Sequence, residues 1–309
     1  MMALAPTAWS QTWTEKPITL LVPNPPGGLV DNTARIVAAS LTKVLKQTVV
    51  VENKGGASGN IAYQQATLAP KDGNTLLVSY SAYHVGNPAM FSKLPWAQKD
   101  LVPVALLTTA TNVVAAHPSV PAKSLTEFIA HLKANPGKLN YASQGNGSLS
   151  HVGTALWEQA TETDMVHVAY KGSGPAVVDL LSGNVQVFIT TPPSVMQHVN
   201  TGKLKAYAVT GKTRHPGLPN VPTTAEAGLA GFELEAWVGL FAPAGTPAPV
   251  IAQLTEAVKR ALDTQEVKEN VAKQGIEARY LNPQQLGALV EKDTAYWGKL
   301  IKSRHITAD

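Results

Sequence analysis

The sequence has no cysteine and little charge, and both absences narrow the possible functions. Without cysteine there can be no disulfide, no thiolate nucleophile and no cysteine-ligated metal. Charged residues make up 15% of the 309 residues, and the net charge of +4 is not gathered into a Lys/Arg run. No apolar stretch reaches the length of a membrane span. We therefore expect a mildly basic protein that binds no nucleic acid.

Patterns typical of metal sites and of acid–base catalysis are also missing. The eight histidines show no H-x-x-x-H spacing, and no carboxylate accompanies them at the spacing of metal ligands. The acidic residues are scattered, and no two of them suggest a general acid with a general base. The sequence therefore predicts no metal, no cofactor and no catalytic residue.

The first residues have the character of a targeting segment. The stretch "MMALAPTAWSQTW" combines a short apolar run with small residues of the kind found near a signal-peptide cleavage point. We expect residues 1–15 to be a signal-peptide remnant or a disordered tail, and the mature protein to be exported.

Apolar runs alternate with helical patterns along the chain, which predicts an α/β fold with mostly parallel sheets flanked by helices. The C-terminal part differs, because a strand-like stretch at 232–250 is followed by three helical patterns. Possible crossovers near Pro118 and Pro121 and at 231–237 predict two domains, the first of them discontinuous. The expected division is 16–114 with 235–309 for one lobe and 115–234 for the other. The expected strands are 18–22, 48–53, 74–80, 111–117, 138–143, 165–170, 185–190 and 205–210, and the expected helices are 33–47, 124–134, 149–160, 174–182, 247–262, 264–273 and 283–303.

Two glycine-rich junctions each join a predicted strand to a predicted helix. They are "LVPNPPGGLVDNTAR" (21–35) and "LNYASQGNGSLSHVGTALW" (139–157). A helix N-terminus leaves backbone N–H groups unpaired and carries a partial positive charge, and glycine lets a ligand approach those groups closely. Two such junctions, one in each predicted domain, would hold an anion from opposite sides of a cleft.

Other interpretations of the junctions stay open. Neither carries the Gly-Lys-Ser/Thr of a P-loop, and Ser150 stands where a dinucleotide fingerprint has its third glycine, so a carboxylate fits better than a nucleotide. Each junction alone is also explained as an ordinary strand–helix turn. Asp31 stands at a position typical of a helix N-cap. Ser148 and His151 form an alternative nucleophile–base pair for a serine-type hydrolase, although no G-x-S-x-G surrounds the serine.

Six motifs in register resemble one protein family. "VPNPPGGLVDNTAR", "VENKGGASGNIA", "PKDGNTLLV", "NYASQGNGSLSHV", "HVAYKGSGPAVVDLLSGNV" and "FAPAGTPAPV" are together similar to the Bug family of periplasmic solute-binding proteins, the TctC-like receptors of tripartite tricarboxylate transporters. The resemblance extends from about residue 16 to the C-terminus. It implies a two-lobed Venus-flytrap fold, a monomer in the periplasm, and a small carboxylate bound between the lobes and delivered to membrane permease subunits. A carboxylate sensor that feeds a signalling system is the other open function.

The resemblance also implies a set of ligand-binding positions. They lie in the two junctions, in the stretch 79–84 at the end of the third predicted strand, after "VQVFI" and at a tryptophan of the C-terminal part. The expected ligand-binding residues are Asn24, Pro26, Gly27, Gly28, Asp31, Ser79, Ser81, Ala82, His84, Gln144, Gly145, Asn146, Gly147, Ser148, His151, Thr190, Thr191 and Trp237.

Two departures from the family pattern bear on the ligand. Members of the family usually carry an aromatic residue where this chain has Asn24, and members that bind amino acids tend to carry an acidic residue near Thr190. Without that acidic residue an ammonium group would lack a counter-charge, so an amine-free carboxylate is expected. Trp237 with Tyr80 or Tyr83 would flank an aromatic ring, and the preferred specific ligand is an aromatic dicarboxylate such as terephthalate, with aliphatic di- and tricarboxylates left open.

Overall fold

The secondary structure alternates strands and helices along most of the chain. The structure is a computed structural model that describes residues 16–303 and 306–307. The predicted signal-peptide remnant, 1–15, lies outside the described residues. The strands are β1 (Ile18–Val22), β2 (Val49–Asn53), β3 (Thr75–Tyr80), β4 (Leu101–Thr111), β5 (Val113–Ala116), β6 (Asn140–Ser143), β7 (Val166–Ala169), β8 (Val187–Thr190), β9 (Lys205–Val209), β10 (Glu235–Pro243) and β11 (Glu277–Leu281). The helices are α1 (Leu29–Leu45), α2 (Asn60–Thr67), α3 (Asn87–Met90), α4 (Leu125–Ala134), α5 (Leu149–Thr161), α6 (Ser173–Ser182), α7 (Pro192–Asn200), α8 (Ala248–Asp263), α9 (Gln265–Lys273) and α10 (Pro283–Ser303).

The strands form two sheets, one in each lobe. The first sheet has the order β11-β4-β10-β3-β1-β2, and the second has the order β7-β6-β8-β5-β9. Strand β1 pairs in parallel with β2 and β3, and β6 pairs in parallel with β7 and β8. Strand β10 runs antiparallel to β3 and β4, and β5 runs antiparallel to β8 and β9. The fold is α/β as predicted, and its sheets are mixed because the strands next to the lobe crossings run against the β-α-β units.

The chain crosses between the sheets at Asn112 and again near Leu234. Asn112 separates β4 of the first sheet from β5 of the second. Its side-chain amide donates to Leu234 O at 3.0 Å, and the Thr210 hydroxyl donates to the same carbonyl at 2.5 Å. These buried bonds tie the outgoing and returning segments together. The lobe division at 114/115 and 234/235 stays a prediction, and its first boundary falls inside β5.

The parallel strands position the loops that matter for function. Adjacent residues Leu20 and Leu21 of β1, and Leu76 and Leu77 of β3, have no exposed surface, so both faces of this sheet are covered. The carboxyl ends of β1, β2 and β3 meet at one edge of the first sheet, and those of β6, β7 and β8 meet at one edge of the second. In open α/β sheets, ligands bind at such edges. In the described part of the chain, no helix is both long enough and apolar enough for a membrane span.

Several elements differ from the sequence predictions. Helix α1 begins at Leu29 rather than at residue 33, because Leu29 and Val30 are buried and continue its apolar face. Strand β4 was not predicted; it contains Pro103, which the sheet accommodates beside a register shift opposite Phe241. Helices α2 and α7 were not predicted either, and α7 begins with two prolines, which are common in a first helical turn.

Candidate functional site

The first junction is an open turn at the carboxyl end of β1. Gly28 is the N-cap of α1, with an extended backbone, and Gly27 has a φ of +92°, which favours glycine. A Cβ added to either glycine would meet no atom within 4 Å. Pro26 is exposed at the start of this turn. Because the N–H groups of a first helical turn have no partner within the helix, a small anion can reach them here.

Asp31 supports this turn from inside. Its carboxylate is 2% exposed and accepts hydrogen bonds from Gly27 N at 2.9 Å and from Asn53 Nδ2 at 2.9 Å. Arg35 donates to it as well and forms an ion pair at 3.0 Å. Burial opposes ionisation, but the hydrogen bonds from Arg35, Gly27 and Asn53 hold the pKa of Asp31 below its ordinary value. The predicted N-cap role is wrong, because the helix starts earlier and Asp31 lies in its first turn. Both carboxylate oxygens are occupied within the protein.

Asn24 holds the turn and leaves one polar atom unused. Its Nδ2 donates to Tyr83 Oη at 3.2 Å, and its backbone carbonyl accepts from Asn53 Nδ2 at 3.0 Å. Burial raises the pKa of Tyr83 to about 12, so the phenol is neutral. The Oδ1 atom of Asn24 is buried and has no hydrogen-bond partner among the described residues. Buried polar atoms are normally paired, so this oxygen is available to a ligand or to a bound water.

The turn between β6 and α5 forms the second junction. Ser148 is the N-cap of α5 and accepts a hydrogen bond from His151 N at 3.3 Å. Gly145 and Gly147 have φ values of +125° and +75°, so the turn requires glycine at both positions. Asn146 is exposed at its tip. This turn also ends at a helix start whose first N–H groups have no intrahelical partner.

Ser148 and His151 are not arranged as a nucleophile and its base. The Ser148 hydroxyl is buried and donates to Gly145 O at 2.7 Å. The Nδ1 atom of His151 accepts the N–H of Gly147 at 3.1 Å. Among the residues that the structure describes, no hydrogen bond joins the Ser148 hydroxyl to the His151 ring. This geometry gives no support to the serine-hydrolase alternative.

A third glycine turn, which was not among the predicted site residues, lies beside the second junction. Gln144 Nε2 donates to Ser173 Oγ at 2.7 Å, and Gly172 N donates to Gln144 O at 3.2 Å. Gly172 is the N-cap of α6, and a Cβ added to Gly172 or to Gly174 would meet no atom within 4 Å. The signal was present in "YKGSGP" (170–175), which repeats the order of strand, glycine turn and helix.

Thr190 is the last residue of β8, which lies between β6 and the crossover strand β5, and Thr191 is the N-cap of α7. Both residues are buried, and Thr190 Oγ1 has no hydrogen-bond partner within the described part of the chain. Helix α7 starts with Pro192 and Pro193, which have no N–H to offer. The end of β8 therefore presents hydroxyl groups, whereas β6 and β7 are each followed by a glycine turn and a helix start.

A loop of the first lobe links the two predicted junctions. Ser58 Oγ donates to Asn146 O at 3.2 Å, a hydrogen bond between the lobes. The next residue, Gly59, packs against the first junction so closely that a Cβ there would lie 2.9 Å from Pro23 Cβ. Ala57 and Ser58 have φ values of +48° and +51°, which are uncommon for residues other than glycine. The turns 24–28 and 144–148 therefore lie on either side of one short loop.

Four predicted ligand residues at the end of β3 and just after it lie in the interior of the first lobe instead of in these turns. Ser79 Oγ contacts Tyr63 Oη at 2.7 Å and His84 Nδ1 at 3.0 Å. The His84 ring stacks on Phe241 at 4.4 Å, and burial lowers its pKa to about 3. A π-helical turn (Ala82–Gly86) places His84 in this aromatic cluster. The four residues, Ser79, Ser81, Ala82 and His84, are each at most 2% exposed.

Trp237 also serves the interior of the first lobe. Its indole N–H donates to Asp293 Oδ2 of α10 at 2.8 Å, and its backbone N–H donates to Ser81 Oγ at 3.2 Å. Its ring lies 6.0 Å from His84 and 6.4 Å from Phe241. The indole therefore belongs to the core packing and to the attachment of α10, and its polar atom is not free to contact a ligand.

A comparison with sequence profiles of protein families shows which family the chain belongs to. The profile described as "Tripartite tricarboxylate transporter family receptor" matches residues 33–306. The chain belongs to this receptor family. A relative of the receptor is Protein BugT of Bordetella pertussis (strain Tohama I), which is 35% identical over 295 residues that cover 95% of this chain and 90% of BugT.

Solved structures of similar proteins have the same two-lobed fold. The R. palustris protein Rpa4515 with adipate has a TM-score of 0.89 at 31% identity, covering 96% of this receptor and 99% of that chain. MatC from Rhodopseudomonas palustris with bound malate has a TM-score of 0.84 at 35% identity, covering 93% and 99%. The periplasmic binding protein BugD has a TM-score of 0.86 at 32% identity, covering 95% and 99%.

Proposed function

We propose that this receptor works in the periplasm, where it captures a small dicarboxylate between its lobes and delivers it to the permease subunits of a tripartite tricarboxylate transporter. The observation that carries the proposal is the pair of helix starts that follow glycine turns, one per lobe, on either side of the Ser58 loop. One carboxylate is held by the N–H groups of α1 and α5. No bond of the ligand is made or broken.

The chemistry of the turns suits a carboxylate better than a cationic group. Backbone N–H groups and hydroxyls line the strand ends, and the one carboxylate in the first junction, Asp31, is already neutralised by Arg35. An anion at a helix N-terminus gains from both the unpaired N–H groups and the helix dipole. Thr190 and Thr191 supply no counter-charge for an ammonium group, so amino acids are poor ligands.

The unpaired hydroxyl of Thr190 can donate a hydrogen bond to the second carboxylate, whereas the amide oxygen of Asn24, which only accepts, can contact a hydroxyl group of the ligand or a bound water. Asn24 Oδ1 and Thr190 Oγ1, one in each lobe, lack partners within the described residues. Adipate and malate, present in the related structures, are aliphatic dicarboxylates. Because Trp237 is engaged with Asp293, an aromatic ligand such as terephthalate would rely on Tyr80 and Tyr83 alone. We therefore rank aliphatic dicarboxylates first and keep terephthalate as the aromatic member to be tested.

A thermal-shift panel tests the proposal. Malate, adipate, citrate, terephthalate, benzoate, aspartate and glutamate are each added to the purified receptor. A ligand present at 100 times its Kd adds about 2.7 kcal/mol to the stability of the native state, which corresponds to a rise in Tm of about 5 °C for a chain of this size. We expect dicarboxylates to raise Tm and amino acids to leave it unchanged. A larger shift with aspartate or glutamate, or no shift with any carboxylate, would contradict the proposal.

Delivery to a permease needs its own test, because a sensor would bind the same ligand. Uptake of the radiolabelled dicarboxylate is measured in cells that lack the receptor and in the same cells with the receptor restored. Transport predicts that uptake depends on the receptor. Unchanged uptake together with a lost transcriptional response would favour the sensor.

A further inference from the structure

We infer that His167 and His151 are positioning residues of the second glycine turn: as a stacked pair of neutral rings they fix the N–H groups of Gly145 and Gly147 and so shape the ligand loop. The inference rests on the proposed function only for its effect on ligand binding. His167 was not among the predicted site residues, and His151 was expected to contact the ligand directly.

The imidazole rings of His151 and His167 are stacked face to face next to the turn. Their ring centroids are 4.0 Å apart, and their planes differ by 4°. His151 projects from α5 and His167 from β7, and Tyr141 of β6 stacks on His167 at 4.9 Å. Three elements of the second lobe thus meet at this pair.

Each ring is linked by hydrogen bonds to one N–H group of the turn, His151 directly and His167 through the hydroxyl of Ser143. The Nδ1 atom of His151 accepts the Gly147 N–H at 3.1 Å. The Nε2 atom of His167 lies 2.6 Å from Ser143 Oγ, and that hydroxyl oxygen accepts the Gly145 N–H at 3.1 Å. Because both glycine N–H groups are used inside the protein, the turn that leads into α5 is held in one shape.

This support requires neutral rings. A proton on Nδ1 of His151 would turn the acceptor of Gly147 into a donor, and two charged rings at 4.0 Å would repel each other. Of the groups packed against the pair, Tyr141 is titratable, and neither ring forms an ion pair with a carboxylate in the described residues. Burial, and then the charge of His167, lower the pKa of His151 to about 4, and burial lowers the pKa of His167. The rings are therefore neutral at pH 7, and the support is lost as the pH falls toward 4.

Paired substitutions separate positioning from simple packing. His167→Phe keeps a flat ring but removes the nitrogen that contacts Ser143, and His167→Gln keeps a hydrogen-bonding group without the ring. The control is His117→Phe, because His117 is also half-buried in the second lobe and contacts a serine, Ser119 Oγ, at 2.7 Å. Affinity for malate and adipate is measured by calorimetry from pH 4.5 to 8, and amide hydrogen exchange of Gly145 and Gly147 is measured without ligand.

We expect His167→Phe to weaken binding at least tenfold and to speed exchange at both glycines, and His167→Gln to stay within about threefold of the wild type. The His151 ring should titrate at a higher pH in His167→Gln, because the neighbouring charge is gone. His167→Phe with unchanged exchange and unchanged affinity would overturn the inference. If the wild type binds no carboxylate, the proposed function fails, and the exchange measurement still decides the role of the pair.

Discussion

Replacing Gly28 with aspartate puts a negative charge where the first carboxylate is proposed to bind. The backbone of Gly28, with φ of −95° and ψ of −179°, is an extended conformation that aspartate adopts without strain. The added Cβ meets no atom within 4 Å. Aspartate is also a good N-cap, and its charge at a helix N-terminus contributes about 0.3–1 kcal/mol. We therefore expect Gly28→Asp to fold and to melt within about 2 °C of the wild type, or slightly above it.

The effect on binding is expected to be much larger. An introduced carboxylate about 5 Å from the carboxylate of the ligand, at an effective dielectric constant of about 20, costs about 3 kcal/mol. That energy corresponds to a loss of about two orders of magnitude in affinity. The introduced side chain also caps the N–H groups that the ligand would use, which adds to the loss.

Calorimetry with the best dicarboxylate of the thermal-shift panel is the assay. Gly28→Asn is the matched control, because asparagine has the same shape and caps the helix but carries no charge. We expect Gly28→Asn to bind about tenfold more weakly than the wild type, and Gly28→Asp at least tenfold more weakly than Gly28→Asn. A folded Gly28→Asp with a Kd within threefold of the wild type would refute the assignment of the first junction.

Three further substitutions test the other contacts. Ser58→Ala removes the hydrogen bond to Asn146 between the lobes. Since such a bond contributes about 0.5–1.5 kcal/mol, the Kd measured by calorimetry should rise about 3–10-fold, with little change in the ligand-free Tm. An unchanged Kd would show that the bond does not favour closure of the lobes. Thr190→Val removes a buried hydroxyl that lacks a partner in the described residues, so the free energy of unfolding should stay equal or rise by about 1 kcal/mol while dicarboxylate affinity falls; a stability loss without an affinity loss would contradict this role. Asp31→Asn should lower the free energy of unfolding at pH 7 by about 1–3 kcal/mol. The hydrogen bonds of Asp31 lower its pKa in the folded state, so its contribution to stability is present above the unfolded pKa and is lost as the pH falls through the folded pKa. Urea unfolding below pH 4 should therefore show a smaller difference in stability between Asp31→Asn and the wild type. A difference that stays constant with pH would argue against an ionised Asp31.

Much of the fold could be predicted because it depends on local patterns. The strands of the β-α-β units were predicted from apolar runs, and the helices α1, α5 and α6 from apolar spacing, whereas α2 and α7 were missed. Strand β4 was not predicted because Pro103 interrupts its apolar pattern. The register shift that accommodates the proline depends on the partner strand β10, which is distant in sequence. The directions of the crossover strands likewise follow from the lobe connections and not from local composition.

The glycine turns were predictable for a similar reason, whereas the roles of individual side chains were not. A glycine turn followed by a helix start indicates free N–H groups wherever it occurs. By contrast, Ser79, His84 and Trp237 resemble exposed binding residues in sequence, but contacts with residues distant in the chain, among them Tyr63, Phe241 and Asp293, bury them. Ser58 reaches the second lobe through left-handed backbone at a residue that sequence does not mark.

A crystal structure of the receptor with the dicarboxylate that raises its Tm most is the most direct measurement of the central claim. We predict that one carboxylate of the ligand lies within hydrogen-bond distance of backbone N–H groups from the first turns of both α1 and α5. A ligand bound to only one of these helix starts, or in a cavity away from both, would contradict the account.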